Sequence, residues 1–573
     1  MSPSPPGVNA VNAANSTGVT PNGANITITA DGVTINNALN PSSNNNNNTG
    51  LRIQSSGDAI ITATSTTIDV NGTASDDAIL AFAMPNLKGI PQLASVTWSG
   101  LRLSSSGNES AGIQVDNRGI GNATVVASGD INVVAGAGVG NGTTQYGLLA
   151  HAGDSFPSGV NGAGNSSVTY NSGTINVNSI RPRGILAWVD GIGSATVTTA
   201  AGTVINVSGT QFGGPGVYVF SSGMATAPNA LTANVASSIT SVGPATTDPS
   251  NLPIGIKAVN SNTDAPIAVN YTGPGITTMG GNGSGIFATS GSGSIIVNAS
   301  GPINTTDGSN AVGILADSGT SLIQTSGLLT DTSTIRPSPT STTGSVQVNA
   351  TNVSTLGQFG TGISATAGSG GVTVNILPGG SVMGGWQADL TSVGSTYGLP
   401  AAGVILASTG GGTATLTNDG SIGALSDRAV ANSPRFPSSN NTSIINNGTI
   451  TGFVQLVGGN NSILNDGTFN LRHFADTTGG GRDTLRVAIA DLGAGLNNNF
   501  TNNGTLALPA VTGATMLDSA GQYLPLGNIN NAMAPGGPLQ GHLIGVSTFT
   551  NSGIIDLQSN PVAGDVLVIT GAR

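Results

Sequence analysis

Three histidines, His151, His473 and His542, are the only imidazoles in the sequence, and cysteine is absent. A serine nucleophile needs a histidine that an acid orients. Gly153-Asp154-Ser155 offers the serine, but the residues three before each histidine are Leu148, Asn470 and Leu539. The segment therefore reads as a turn after an apolar strand. No His/Cys pair has transition-metal spacing. Gly479-Gly480-Gly481-Arg482-Asp483 matches part of a calcium-binding nonapeptide that works only in tandem, and here it occurs once. Sugar cleavage asks for carboxylates near a base with aromatics for stacking. Asp76-Asp77 is the adjacent acidic pair, and Arg181-Pro182-Arg183 precedes a strand ending near Trp188. The Arg-Pro-Arg segment reads as a solvated corner, and aromatics make up only 4% of the residues. No catalytic residue, metal ligand or cofactor site is assigned from these patterns.

The elements that would position such residues follow from composition. Of 573 residues, 88 are glycine and 7% are charged, with one glutamate (Glu109) and two lysines (Lys88, Lys257). Helices draw on Glu and Lys for propensity and for i,i+4 pairs, so a helical bundle and a doubly wound α/β sheet are excluded. Hydrophobic residues at 37% and a net charge of only -11 argue for an ordered protein. Fourteen dispersed Lys and Arg residues make no basic stripe, which excludes nucleic acid as a partner. The first residues, MSPSPPGVNAVNAANS, carry no basic and apolar leader pattern, so no signal peptide is expected there. Without cysteine, stability must come from burial and backbone hydrogen bonds.

Self-similarity organises the rest. A glycine followed by an apolar triplet recurs at Gly112, Gly147, Gly184, Gly216, Gly255, Gly285, Gly313, Gly362 and Gly403. Between these lie strand–turn–strand units built on Asn-x-Gly, as at Asn171, Asn418, Asn446, Asn465, Asn502 and Asn551. Asn and Gly tolerate positive φ, which suggests that they turn the corners. Short strands with repeated corners predict an all-β, right-handed parallel β-helix with inserted loops, in which like residues stack at about 4.8 Å. Coils of about 20–25 residues would give about 20 coils. The expected organisation is a flexible 1–22, a β-helix over 23–508, a non-repeat loop or cap over 509–545 and a last coil over 546–573. Excursions are expected at Asn44–Asn48, Ala227–Pro253, Leu328–Thr343 and Gly384–Pro400. Thr-x-Thr steps, as at Thr196–Thr198, do not recur once per coil and reflect strand propensity rather than an ice-binding face.

Gly481-Arg482-Asp483-Thr484-Leu485 resembles the Gly-x-Asp-Thr-Leu motif of autotransporter passengers. Asn446-Asn447-Gly448-Thr449-Ile450 and Asn551-Ser552-Gly553-Ile554-Ile555 resemble their Asn-x-Gly-x-Ile repeats, and Ala563–Gly571 resembles their approach to the translocator. The resemblance implies a passenger domain of a classical (type V) autotransporter of Gram-negative bacteria, brought to the surface by an outer-membrane β-barrel. The sequence departs from that pattern in having no leader and no barrel strands, and reads as an excised passenger. The expected function is adhesion, self-aggregation or spacing at the cell surface, as in virulence or biofilm formation. The partners would be a second copy or a host or matrix glycan or protein. The alternative is a polysaccharide lyase or hydrolase built on a β-helix. Gly153-Asp154-Ser155 is also similar to the nucleophile block of Gly-Asp-Ser-Leu esterases, but the α/β/α fold of that family is incompatible with the repeat.

Overall fold

A computed structural model describes residues 25–37, 49–71, 77–84, 90–107, 110–135, 144–153, 164–222, 230–244, 252–260, 265–306, 309–322, 335–337, 343–387, 398–432, 441–472, 487–508, 540–557 and 565–571. Among these residues every regular element is a β-strand. The protein divides into two compact units, one of residues 1–246, 250–280 and 322–333, the other of 247–249, 281–321 and 334–573.

Each unit is a three-sided parallel β-helix, as the alternation of short strands and repeated corners predicts. In the first unit one face stacks 26–31, 59–64, 94–99, 123–127, 166–170, 195–199, 231–235 and 267–271, each parallel to the next and in register. A second face begins with 34–37 and ends with 276–279. A third runs from 51–55 to 254–260. The second unit repeats the plan, with a first face from 295–299 to 548–551 and a third that includes 284–290, 361–367, 402–408 and 540–544. Inward positions such as Ile61, Val125, Val197 and Ile444 are fully buried. Phe469 and Phe500 stack inside the second unit, 6.1 Å between centroids.

Coil length departs from the expectation. Successive rungs are offset by as few as 19 residues (Ser443 to Ser462) and as many as 53 (Val487 to Gln540), so the described coils are fewer and longer than a 20–25-residue repeat implies. The extra residues are unevenly placed. The corner between first and second faces stays short, as in 446–449 and 502–505, whereas the connections on either side of the third face vary widely. Ala227–Pro253 is not one excursion, since it holds two ordinary rungs, Leu231–Val235 and Ser238–Val242. Gln540–Ile544 lies inside the expected loop or cap region yet forms a third-face rung. Asn44–Asn48, residues 1–22 and Gly479–Leu485 lie outside the described residues.

The short corner explains the Asn-x-Gly motif, for a different reason from the expected one. In the second unit, Gly420, Gly448, Gly467, Gly504 and Gly553 do not have positive φ. A Cβ on Gly448 would stand 2.0 Å from the carbonyl oxygen of Gly420, one on Gly467 2.1 Å from that of Gly448, and one on Gly504 2.0 Å from that of Gly467. Close stacking demands the glycine. At Gly129 (φ 113) and Gly173 (φ 100) in the first unit, backbone conformation adds to the requirement. Four asparagines that precede these turns are buried and donate upward: Asn418 to Asn446, Asn446 to Asn465, Asn465 to Asn502 and Asn502 to Asn551, each 2.7 Å. Each of these four amides also reaches the backbone carbonyl of the residue that follows the neighbouring turn. A buried amide so satisfied stabilises its corner, and one left without partners would cost about 1–3 kcal/mol.

The other glycine series marks the third face. A Cβ on Gly147 would lie 2.5 Å from the Gly184 carbonyl oxygen and 2.6 Å from an Ile175 methyl, and Gly184 stands likewise against Gly216 and Ile205. The column is therefore required by the side chains of the second face and the backbone of the next coil. Gly467→Ala should destabilise the protein by at least about 2 kcal/mol, and Asp466→Ala, with its exposed side chain, by less than about 1 kcal/mol. Urea-unfolding midpoints measure this, and equal losses would refute the stacking account.

Candidate functional site

The third face differs from the other two on its outer side. Outward residues on the first and second faces are largely neutral amides and hydroxyls, forming ladders such as Asn132–Asn176–Asn206 and Asn298–Asn349–Asn375. On the third face of the first unit many outward residues are aromatic, ionisable or aliphatic, and Leu149, His151, Leu186, Tyr218, Phe220 and Lys257 are buried. Several of the scarce aromatics and cations of the protein meet here.

Counting from the glycine column shows how. Asp116, His151, Trp188 and Phe220 each stand four residues after a column glycine, so stacking places them in one row, rung upon rung. The His151 ring stacks on Trp188 with centroids 4.2 Å apart, and Trp188 lies 5.9 Å from Phe220. His151 Nδ1 is 3.0 Å from Asp116 Oδ1, and Nε2 is 2.8 Å from Asp190 Oδ2. Arg118 Nε donates to Asp116 Oδ2 at 3.1 Å, and its guanidinium lies over Phe82. Gly153 makes room for this bridge: a Cβ there would stand 2.9 Å from the Cβ of Asp190.

The electrostatics follow from that geometry. Burial alone would lower the His151 pKa, but the charge and hydrogen bond of Asp116, joined by those of Asp190, raise it to about 9. Burial likewise penalises the Asp116 carboxylate, yet His151 and Arg118 hold its pKa below the ordinary value. At neutral pH the ring is an imidazolium donating from both nitrogens, with no lone pair for a metal or for accepting a proton. The arrangement ties three consecutive coils together electrostatically.

A second row carries cations between aromatic rings. Arg183 lies 5.7 Å from the Tyr146 centroid and 5.3 Å from that of Tyr218, and Lys257 lies 5.0 Å from Tyr218. Arg181 sits 4.4 Å over Phe212. Arg181-Pro182-Arg183 is thus not simply the solvated corner its sequence suggests, because both guanidiniums pack on rings. Asp77 accepts a hydrogen bond from the Ala111 amide of the next coil, a structural bond, and Asp76 lies outside the described residues. Asp154, Ser155 and His473 also lie outside them, and His542 sits on the third face of the second unit.

The second unit has its own buried ionic corner. Asp427, held at φ 58, accepts a 2.7 Å hydrogen bond from Arg472 Nε. Burial pushes the Asp427 carboxyl up to about 6 against the pull of Arg472, so this group favours the fold increasingly as pH falls through 6. The neighbouring Arg428 donates to Gln387 at 3.1 Å and to Gln455 at 3.2 Å, and burial lowers its pKa to about 10.

No short motif in the sequence points to these clusters. Asp116, Arg118 and Asp190 carry no local signal, and His151 has none beyond its rarity, because the partners stand 35 and 39 residues away. The signal that does exist is positional: aligning the sequence on its glycine column superposes Asp116, His151 and Trp188. The fold and these sites together define a parallel β-helix with one ionic-aromatic face. No protein-family model, curated protein or solved structure matches it.

His151→Gln tests the electrostatic clamp. A histidine whose folded pKa is raised to about 9 from an unfolded 6.5 contributes fully below pH 6.5 and loses that contribution as pH rises through 9. The stability advantage of the parent over His151→Gln should be on the order of 3 kcal/mol near pH 6 and shrink steadily toward pH 10. Thermal unfolding across that range reads the difference directly. A pH-independent gap would mean the ring acts through packing alone.

Proposed function

We propose that this protein is an interaction scaffold of the autotransporter-passenger type, displayed outside the cell by an outer-membrane β-barrel and acting in adhesion, self-association or spacing. One observation carries the reading: two of the three faces present the same neutral amide and hydroxyl groups rung after rung, as in Asn132, Asn176 and Asn206. Groups that repeat along a rigid support suit weak contacts that gain strength by number. Their neutrality makes such contacts insensitive to salt. The resemblance of the Asn-x-Gly repeats to passenger sequences supports the cellular setting.

Sedimentation velocity over a wide concentration range, at low and high salt, tests the reading. Reversible association that persists at high salt is expected for self-aggregation. An Asn176→Asp, Asn206→Asp double variant, which puts adjacent like charges into the ladder, should weaken it at least about tenfold. A strict monomer that also retains no glycan or matrix protein on an array would overturn the proposal. Cleavage of an anionic polysaccharide by the same preparation would favour the lyase or hydrolase alternative instead.

A further inference from the structure

The outer edge of the short corner carries a second ladder, distinct from the buried asparagine column. Asn447 Nδ2 donates to Asp419 Oδ1 at 2.7 Å, Asn503 Nδ2 donates to Asp466 Oδ1 at 2.8 Å, and Ser552 donates to Asn503 Oδ1 at 2.7 Å. The order along the column is Asp419, Asn447, Asp466, Asn503, Ser552, with acid and amide alternating. All five residues are exposed. Both asparagines are followed by glycine, Gly448 and Gly504, which the stacking requires at those positions.

An Asn-Gly pair is chemically labile. The glycine nitrogen, unhindered by a Cβ, can attack the carbonyl carbon of the asparagine amide. A new bond forms between that nitrogen and that carbon, and the bond from the carbon to Nδ2 breaks. Nδ2 leaves as ammonia, taking the proton from the glycine amide. Water then opens the cyclic imide at one carbonyl to give aspartate, or at the other to give isoaspartate. No oxidant, reductant or enzyme is needed.

We propose that Asn447 and Asn503 are sites of spontaneous deamidation, and that the outer ladder holds the reaction off while the coils are stacked. In the fold the attacking nitrogens are engaged: the Gly448 amide donates to the Asn418 carbonyl and the Gly504 amide to the Asn465 carbonyl, both at 2.8 Å. The Nδ2 groups of Asn447 and Asn503 are pinned to the carboxylates below them. Reaction requires both restraints to be released together, which is a local opening of the corner. Conversion at Asn447 would leave a carboxylate stacked between Asp419 and Asp466 at about 4.8 Å, removing a donor and adding two like-charge neighbours. The glycine that makes tight stacking possible is thus also the residue that makes an opened coil vulnerable. This proposal stands independently of the interaction-scaffold reading.

Peptide mass mapping of the full-length protein, incubated at about pH 8 with and without urea, reads the reaction as a one-dalton gain and a split of retention times. In urea both sites should convert. In the folded protein both should convert at least about tenfold more slowly. Asp419→Ala removes the acceptor of Asn447 alone. In the folded variant it should accelerate conversion at Asn447 several-fold, with Asn503 unchanged as the internal check that the fold persists. Equal rates with and without urea, no conversion in urea, or no selective acceleration in Asp419→Ala would overturn the proposal.

Discussion

The strands of this protein answer to one constraint: each paired residue lies directly above or below its counterparts in neighbouring coils at the inter-strand spacing. A side group is tolerated only if it can sit against what occupies the same place one coil away. Aliphatic residues meet this by packing, amides by passing a hydrogen bond along the row, and glycines by leaving room for a carbonyl. Isolated like charges fail the test, which is why so few charged residues occur and why those on the rows are interleaved with partners of another kind.

The three faces meet the constraint in different ways, and that difference organises the molecule. From Asn418 to Asn551 the corner between first and second faces keeps one length, because the buried asparagine column and the glycine carbonyl contacts leave no place for an inserted residue. Additional residues leave instead on either side of the third face. In the first unit that face is also where outward side chains are buried and where aromatic rings, arginines and a doubly bonded imidazolium replace neutral ladders. Most of the variation in coil length falls on that side, together with the buried ionic and aromatic groups of the first unit.

The His151 cluster shows how an ionic group becomes acceptable in such a stack. A carboxylate, an imidazolium and an indole share one row, so no like charges meet. Asp190 reaches back across Gly153 to complete the second bond of the ring. The arrangement ties coils together without a metal or a disulfide. The Asp427–Arg472 corner does the same with a costlier balance, because burial outweighs the pull of its partner and keeps the carboxyl easily protonated.

The sequence alone was enough for the fold class and for the places where coils repeat. Periodic apolar triplets, Asn-x-Gly corners and missing Glu and Lys all report constraints that act within a few residues or recur identically in every coil. The reason for the glycines is not legible there, because a tight contact with the next coil leaves the same mark in a sequence as a turn that needs positive φ. Coil length is not legible either, because insertions of any size preserve register. The tertiary structure decided which residues meet. Asp116, His151 and Asp190 are neighbours only because unequal coils return to the same row, and no local pattern encodes a contact that depends on how long each excursion is.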